Sequence, residues 1–271
     1  MGASGGTTDA IDHSARWLRL EGAVNARDLG GLPLRDGGAT ATHRLLRSDN
    51  LQGLSPYDVR LLGGEMGLSD VVDLRTDTER KLEGPAPLDD EHGVTVHHLS
   101  LLPGDGDEVR EREGDFLLPW QQAPDEVPAG QEEASTIYVS YLEDRPDSVV
   151  SALRVVARAT GATVVHCAAG KDRTGVVVAL ALDLVGVHRG PIVEDYLLTG
   201  ERIDAILARL SASPTYASNL RGRGRDSHLP RTRAITDVFD LVDTHQGTAG
   251  WLAGHGWTDA DTRALQRRLT G

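Results

Sequence analysis

Residues 162–187 read ATVVHCAAGKDRTGVVVALALDLVGV. The first five, through His166, form a continuous apolar run without polar alternation. That predicts a strand covered on both faces and therefore central in its sheet. Residues 174–187 are almost wholly apolar, so they are expected to form a helix buried on every side. Between the two lies a short loop holding Cys167, the single cysteine of the chain. A buried strand feeding a buried helix through a tight loop is a building unit of α/β layered folds.

The flanking sequence continues the alternation. Upstream, residues 148–160 place Val149, Val150, Leu153, Val156 and Ala157 on one helical face and stop at Gly161. Residues 70–75 and 94–99 read as further strands, and 42–50 hold a short one. Ser55-Pro56 supplies an N-cap followed by proline at the first helical position, opening a helix to about Leu62. Residues 25–38 read as extended pieces joined by glycine turns. The pattern turns helical after Thr136, and more helices are expected near 191–211, 231–245 and 258–269. The predicted fold class is α/β: a short, mostly parallel sheet with helices on both sides, forming one domain over 21–271 behind a flexible tail over 1–20.

Residues 104–134 interrupt this pattern. They are rich in Gly, Pro and acid, with ten carboxylates against Arg110 and Arg112, and carry one apolar island, Phe116-Leu117-Leu118-Pro119-Trp120. A segment of this length without periodicity inside a compact domain reads as a flexible insertion or a lid.

Composition narrows the function. At 271 residues, 39% hydrophobic and 25% charged, the chain fits a soluble globular protein. The longest apolar run, Val176 to Leu182, is far shorter than the ~20 residues of a membrane span, so no integral membrane association is expected. The formal net charge of −13 disfavours a polyanion, so no nucleic-acid partner is expected. One cysteine excludes an intrachain disulfide. The N-terminus MGASGGTTDAIDHSARW lacks the charged and apolar regions of a secretory signal, and Gly6 stands where myristoylation requires Ser or Thr. A reducing cytoplasm is the expected location.

The chemistry concentrates at residues 166–175. A tight loop opening a helix turns successive backbone N–H groups inward and adds the positive end of the helix, which builds an anion cup. Ala168, Ala169, Gly170, Lys171 and Thr174 are the expected phosphate-binding positions. Gly170 permits the sharp turn, and Gly175 permits close helix packing. Cys167 lies at the floor, where the dipole, the amides and Arg173 favour its thiolate, a nucleophile suited to phosphorus. The planar fork of Arg173 suits two phosphate oxygens and the spread charge of the transition state. Asp172 is the nearest general acid, kept protonated by a facing phosphate dianion, and its ionised form can activate water. Thr174 is expected to donate to the departing thiolate, and His166 to brace the loop from behind. No step calls for a metal or cofactor, and no metal-ligand cluster is apparent.

The stretch HCAAGKDRTG resembles the signature loop of the protein tyrosine phosphatase superfamily: His-Cys, five residues, Arg, Ser/Thr, Gly. With Asn25-Ala26-Arg27-Asp28, Arg47-Ser48 and Asp73-Leu74-Arg75 in order, the chain resembles a bacterial branch whose members also act on phosphoinositides. The resemblance spans roughly residues 20–200. It implies a phosphatase-type sandwich and metal-independent hydrolysis of phosphate monoesters through phosphocysteine. Phosphotyrosine in proteins is the default substrate, and phosphoinositides are the alternative. An aspartate directly before the arginine resembles inositide phosphatases in which the loop aspartate does the work of the acid. Other tyrosine phosphatases carry that acid in a Trp-Pro-Asp context, which this chain lacks, and Asp105 is the alternative acid. Lys171 resembles the loop lysine of lipid-acting members.

Two other chemistries fit a Cys-x5-Arg cup: sulfur transfer or arsenate reduction, and phosphate binding without turnover. Arsenate reduction commonly recruits resolving thiols, and this chain has none. Arg27, Asp28, Asp73 and Arg75 are expected to form structural ion pairs, and His97 and His98 to be strand residues, one facing in and one facing out. Arg221, Arg223, Arg225, Arg231 and Arg233 form a second basic feature, expected to be a solvated arm or a recruiter of acidic substrates.

Overall fold

A computed structural model describes residues 14–89, 91, 93–103 and 131–271. The N-terminal stretch before Ser14 and most of the acidic segment, including Asp105, lie outside the described residues. In chain order the elements are β1 (Arg27–Asp28), β2 (Leu45–Ser48), α1 (Pro56–Arg60), β3 (Leu68–Asp73), α2 (Asp77–Glu83) and β4 (Thr95–His98). After the acidic segment come α3 (Gln131–Asp144), α4 (Pro146–Arg158), β5 (Ala162–His166), α5 (Asp172–Leu184) and α6 (Arg189–Leu198). The chain ends with α7 (Ile203–Ala212), α8 (Pro214–Leu220), α9 (Thr232–Asp243), α10 (Gly247–Gly254) and α11 (Asp259–Thr270).

The strand order is β1-β2-β5-β3-β4, with β5 in the middle. It pairs in parallel with β2 and β3, β3 pairs in parallel with β4, and the two-residue β1 is the antiparallel edge. Alternate residues of each strand enter two different cores. Leu45, Val72 and Val165 face the larger, built with α3, α4, α5, α9 and α11, while Leu46, Val71 and Val164 face the smaller, closed by Leu51, Leu54, Leu62 and Leu88. Both faces of β5 are therefore covered, which is why its apolar run needs no polar alternation. α5 is buried from Arg173 to Leu184.

Local signals hold where they were strong. Ser55 caps α1, exchanging bonds with Asp58 in a capping box, with Pro56 at the first helical position. The single helix expected over 191–211 is instead broken between α6 and α7 by a 3-10 turn at Thr199–Arg202. Gly200 weakens the helix there, and the buried Thr199 hydroxyl accepts from Arg27 Nη2 at 3.3 Å. α3 starts at Gln131, inside the stretch expected to be an insertion. Residues 14–20, expected in the tail, are anchored: Arg16 is buried against Asp195, and Trp17 pairs with Arg27. His97 and His98 do not split between inside and outside. Both are half-buried on the edge strand, with His97 Nε2 at 2.8 Å from Asp70 and His98 Nδ1 at 3.4 Å from Asp77. No described helix is long and apolar enough to cross a membrane.

Candidate active site

The loop 167–171 leaves the carboxyl end of the central parallel strand, where ligands collect in open α/β sheets. Its carbonyls are turned away from the concavity and held from behind. Ala168 O accepts from Asn50 N at 3.1 Å. Asn25 Nδ2 donates to Ala169 O at 2.9 Å and to Gly170 O at 3.2 Å, and Arg47 Nη2 donates to Gly170 O at 2.7 Å. In a trans peptide the next N–H points opposite to the carbonyl, so the N–H groups of Ala169, Gly170 and Lys171 face the other way. Gly170 has φ +64, and a Cβ there would lie 2.4 Å from Ser48 O. At Gly175 a Cβ would meet the ring of Tyr196 at 3.1 Å, so α5 and α6 pack this closely only without a side chain.

Cys167 is buried at the end of β5. Arg173, on the first turn of α5, is also buried and carries a charge that interacts with Cys167. Its fork is engaged by Glu79, with Nη1 to Oε2 at 2.6 Å and Nη2 to Oε1 at 2.9 Å, and Nη1 also reaches Leu74 O at 3.3 Å. Burial alone would push the Glu79 carboxyl up, but the Arg173 guanidinium holds it below the usual range. Burial likewise opposes the charge on Arg173, and Glu79 more than offsets it.

Glu79 was not singled out from sequence. Its signal was Thr76-x-x-Glu79, the capping box that opens α2: Thr76 N donates to Glu79 Oε2 at 2.8 Å, and Glu79 N donates to Thr76 Oγ1 at 3.0 Å.

Asp172 sits at the start of α5 with its side chain about one-third exposed, at 34%. Its Oδ1 accepts from the Tyr138 hydroxyl on α3 and lies 3.5 Å from Lys171 Nζ. Lys171, expected to bind phosphate, donates to His228 O at 2.8 Å and so ties the arginine-rich segment to the loop. In that segment Arg225 pairs with Asp204 at 2.6 Å and Arg233 with Asp237 at 3.4 Å, while Arg221 and Arg223 are exposed. The Thr174 hydroxyl is buried and makes no hydrogen bond among the described residues.

His166 lies buried at the end of β5, beside the loop. Its Nδ1 lies 3.4 Å from Cys167 O and its Nε2 lies 3.6 Å from Asp73. Burial pushes its pKa down to about 4 despite that carboxylate, so the ring is neutral at pH 7.

Of the expected ion pairs, Asp73 and Arg75 do pair, at 2.6 Å. Arg27 is in an ion pair too, and Asp28 is held by backbone donors. Asp28 accepts from the N–H groups of Gly30 and His43, while Arg27 turns across the sheet edge to Asp195 on α6 at 3.0 Å. Arg47 at 2.7 Å and Arg16 join the same carboxylate. A cavity of about 80 Å³ adjoins the loop at Ala168, walled by Asn50, Glu83, Arg209 and Tyr216, and the buried Tyr216 hydroxyl beside it has no partner. A larger hollow of about 350 Å³, lined by Gly67, Ser69, Glu91 and Gly161, lies at the opposite end of the strands, away from the loop.

Comparison with known proteins agrees with this geometry. Residues 18–271 match the family model described as the tyrosine phosphatase family. The chain is 35% identical over 280 residues to the triple specificity protein phosphatase PtpB of Mycobacterium tuberculosis, spanning 93% of this chain and 98% of that protein. It is 28% identical over 234 residues to a tyrosine-protein phosphatase of Nostoc commune, spanning 83% of this chain and 73% of the relative.

Proposed function

The chain belongs to the tyrosine phosphatase family, and within that enzyme class, which hydrolyses phosphate monoesters, we propose that Cys167 is the nucleophile, Arg173 the transition-state arginine and Asp172 the acid and base. The observation that carries this assignment is the loop itself. Three consecutive carbonyls, 168 to 170, are pinned outward by Asn50, Asn25 and Arg47, which leaves their partner N–H groups for three phosphate oxygens. The Cys167 thiolate attacks phosphorus as the ester P–O bond breaks, and the Asp172 proton passes to the leaving oxygen. Water then attacks phosphocysteine and gives its proton to Asp172. The S–P bond breaks, and the thiolate returns with release of inorganic phosphate. Through both steps Arg173 holds equatorial oxygens, shared with or released from Glu79. Asp105 is the alternative acid.

Protein phosphotyrosine is the substrate class this reading places first. Phosphoinositides are the second, favoured by one observation: Lys171 holds the arginine-rich segment against the rim of the cup, where a second phosphate would fall. The lone thiol nucleophile fits a reducing compartment such as the cytoplasm.

The test is phosphate release from a phosphotyrosine peptide and a phosphoinositide panel, side by side in chelator. Cys167→Ser is expected to lose at least ~10⁴-fold in kcat on every substrate. Activity surviving in that variant, or vanishing from the wild type on chelation, would remove the cysteine mechanism. The ratio of kcat/KM values ranks the substrate classes.

A further inference from the structure

Tyr138 raises a question the mechanism has not used: why a side chain buried in the larger core carries a hydroxyl. Its ring packs against Tyr141 and edge-on against Tyr196, contacts that phenylalanine would make equally well. Its oxygen touches two polar groups, Asp172 Oδ1 and, at 2.8 Å, the Tyr196 hydroxyl. A phenol has one proton to give. When Asp172 is ionised, Tyr138 spends that proton on the carboxylate, and so the Tyr196 hydroxyl donates to Tyr138. The order Tyr196 to Tyr138 to Asp172 is fixed by counting donors.

We infer that this chain of two hydroxyls, on α6 and α3, makes Tyr138 a positioning residue for proton transfer by Asp172. It holds Oδ1 and leaves Oδ2 to face the leaving group. The inference rests on the reading of Asp172 as the acid. Among the described residues Oδ2 has no hydrogen-bond partner, and the side chain is open enough to meet substrate. Both tyrosines stay protonated at working pH, because burial, reinforced by Asp172, raises them far above neutrality. The other groups facing Asp172 are Tyr141 from α3, Lys171 beside it in the loop and His228 from the segment docked on that lysine.

The chain has a chemical consequence with a defined sign. A donor to Oδ1 favours the ionised carboxyl, the product of the first proton transfer and the reactant of the second. Removing the donor disfavours that form, so the high-pH limb of the kcat/KM profile, where the acid is lost, moves to higher pH.

Tyr138→Phe is expected to lower kcat about tenfold on an aryl phosphate with a poor leaving group and to leave KM within about twofold. The loss is smaller on p-nitrophenyl phosphate, whose leaving group needs little protonation. Its high-pH limb shifts upward by about one pH unit. Tyr196→Phe shifts the limb the same way by less. In the double variant with Asp172→Asn, Tyr138→Phe costs nothing further, because both act through one carboxyl.

A folded Tyr138→Phe enzyme with an unmoved limb, or one whose loss multiplies with that of Asp172→Asn, would overturn the inference. Should Tyr138→Phe fail to fold, an unmoved limb in Tyr196→Phe overturns it instead. If Asp172→Asn itself keeps the wild-type rate and limb, the assignment of the acid has failed and the inference falls with it. That outcome is distinct from the other two.

Discussion

On one side of the loop Arg173 meets the Glu79 carboxylate; on the other, Arg16, Arg27 and Arg47 converge on Asp195. The Arg173 guanidinium interacts with Cys167, and Glu79 occupies its fork, the same fork that the proposed role gives to phosphate. In the second system three guanidiniums share the Asp195 carboxylate behind the loop carbonyls. Burial and the neighbouring Arg47 bring the pKa of Arg27 down to about 9, while the arginines hold Asp195 far below the usual carboxylate range against the effect of burial. On the proposed roles, the reacting arginine faces a carboxylate that phosphate can replace, while the scaffolding arginines are locked to Asp195.

The largest expected effect is on the locked side. Asp195→Asn removes the carboxylate that three buried guanidiniums share and is expected to cost about 3–5 kcal/mol in urea unfolding. A loss below about 1 kcal/mol would mean that water, not Asp195, balances the cluster.

Acidification gives the next effect and acts on both systems. Asp195 and Glu79 are both held down in the folded state, so their stabilisation is present above the ordinary carboxylate pKa and lost as pH falls below it. His166 adds an earlier loss. With a folded pKa of about 4, it resists the proton that the unfolded chain takes up near the ordinary 6.5, so stability falls between those values. From pH 7 to pH 4 this group alone accounts for about 3 kcal/mol. His166→Gln is expected to flatten that part of the stability curve, and an unchanged curve would place the acid sensitivity elsewhere.

Glu79→Gln is the smallest of the three and the one that separates the systems. Arg173 keeps its bond to Leu74 O and lies beside an anion cup, so the expected loss is about 2 kcal/mol. Added orthovanadate is expected to stabilise Glu79→Gln by more than the wild type, because the freed fork raises its affinity, while Asp195→Asn gains no more than the wild type does. Equal rescue of both variants in thermal unfolding would erase the distinction.

The parts legible in the sequence were those encoded in consecutive residues. β5 emerged with its full extent because five adjacent apolar residues predict one strand, and α5 emerged from a single apolar stretch. Helices α2, α8 and α10 were missed because seven or eight residues are too few to display a period. Cys167, Arg173 and Gly170 could be assigned from spacing because the loop that joins them is short.

The partners of those residues were not readable in the same way. Glu79 lies 94 residues before Arg173, and Tyr138 lies 34 before Asp172 on a helix whose hydroxyl-bearing face looks like ordinary core. Arg27 was expected in a structural ion pair, but its partner Asp195 lies 168 residues away on α6 and could not be read from sequence.

The sequence by itself determined the central strand, the buried helix and the short loop between them that carries the family signature. Loop chemistry depends on local backbone geometry, and local geometry follows from adjacent residues. Only the tertiary structure decided what holds Arg173, what balances the buried arginines and which oxygen of Asp172 is left free. Those are charge and hydrogen-bond matches between elements far apart in the chain, and they exist only once packing has removed water from between them.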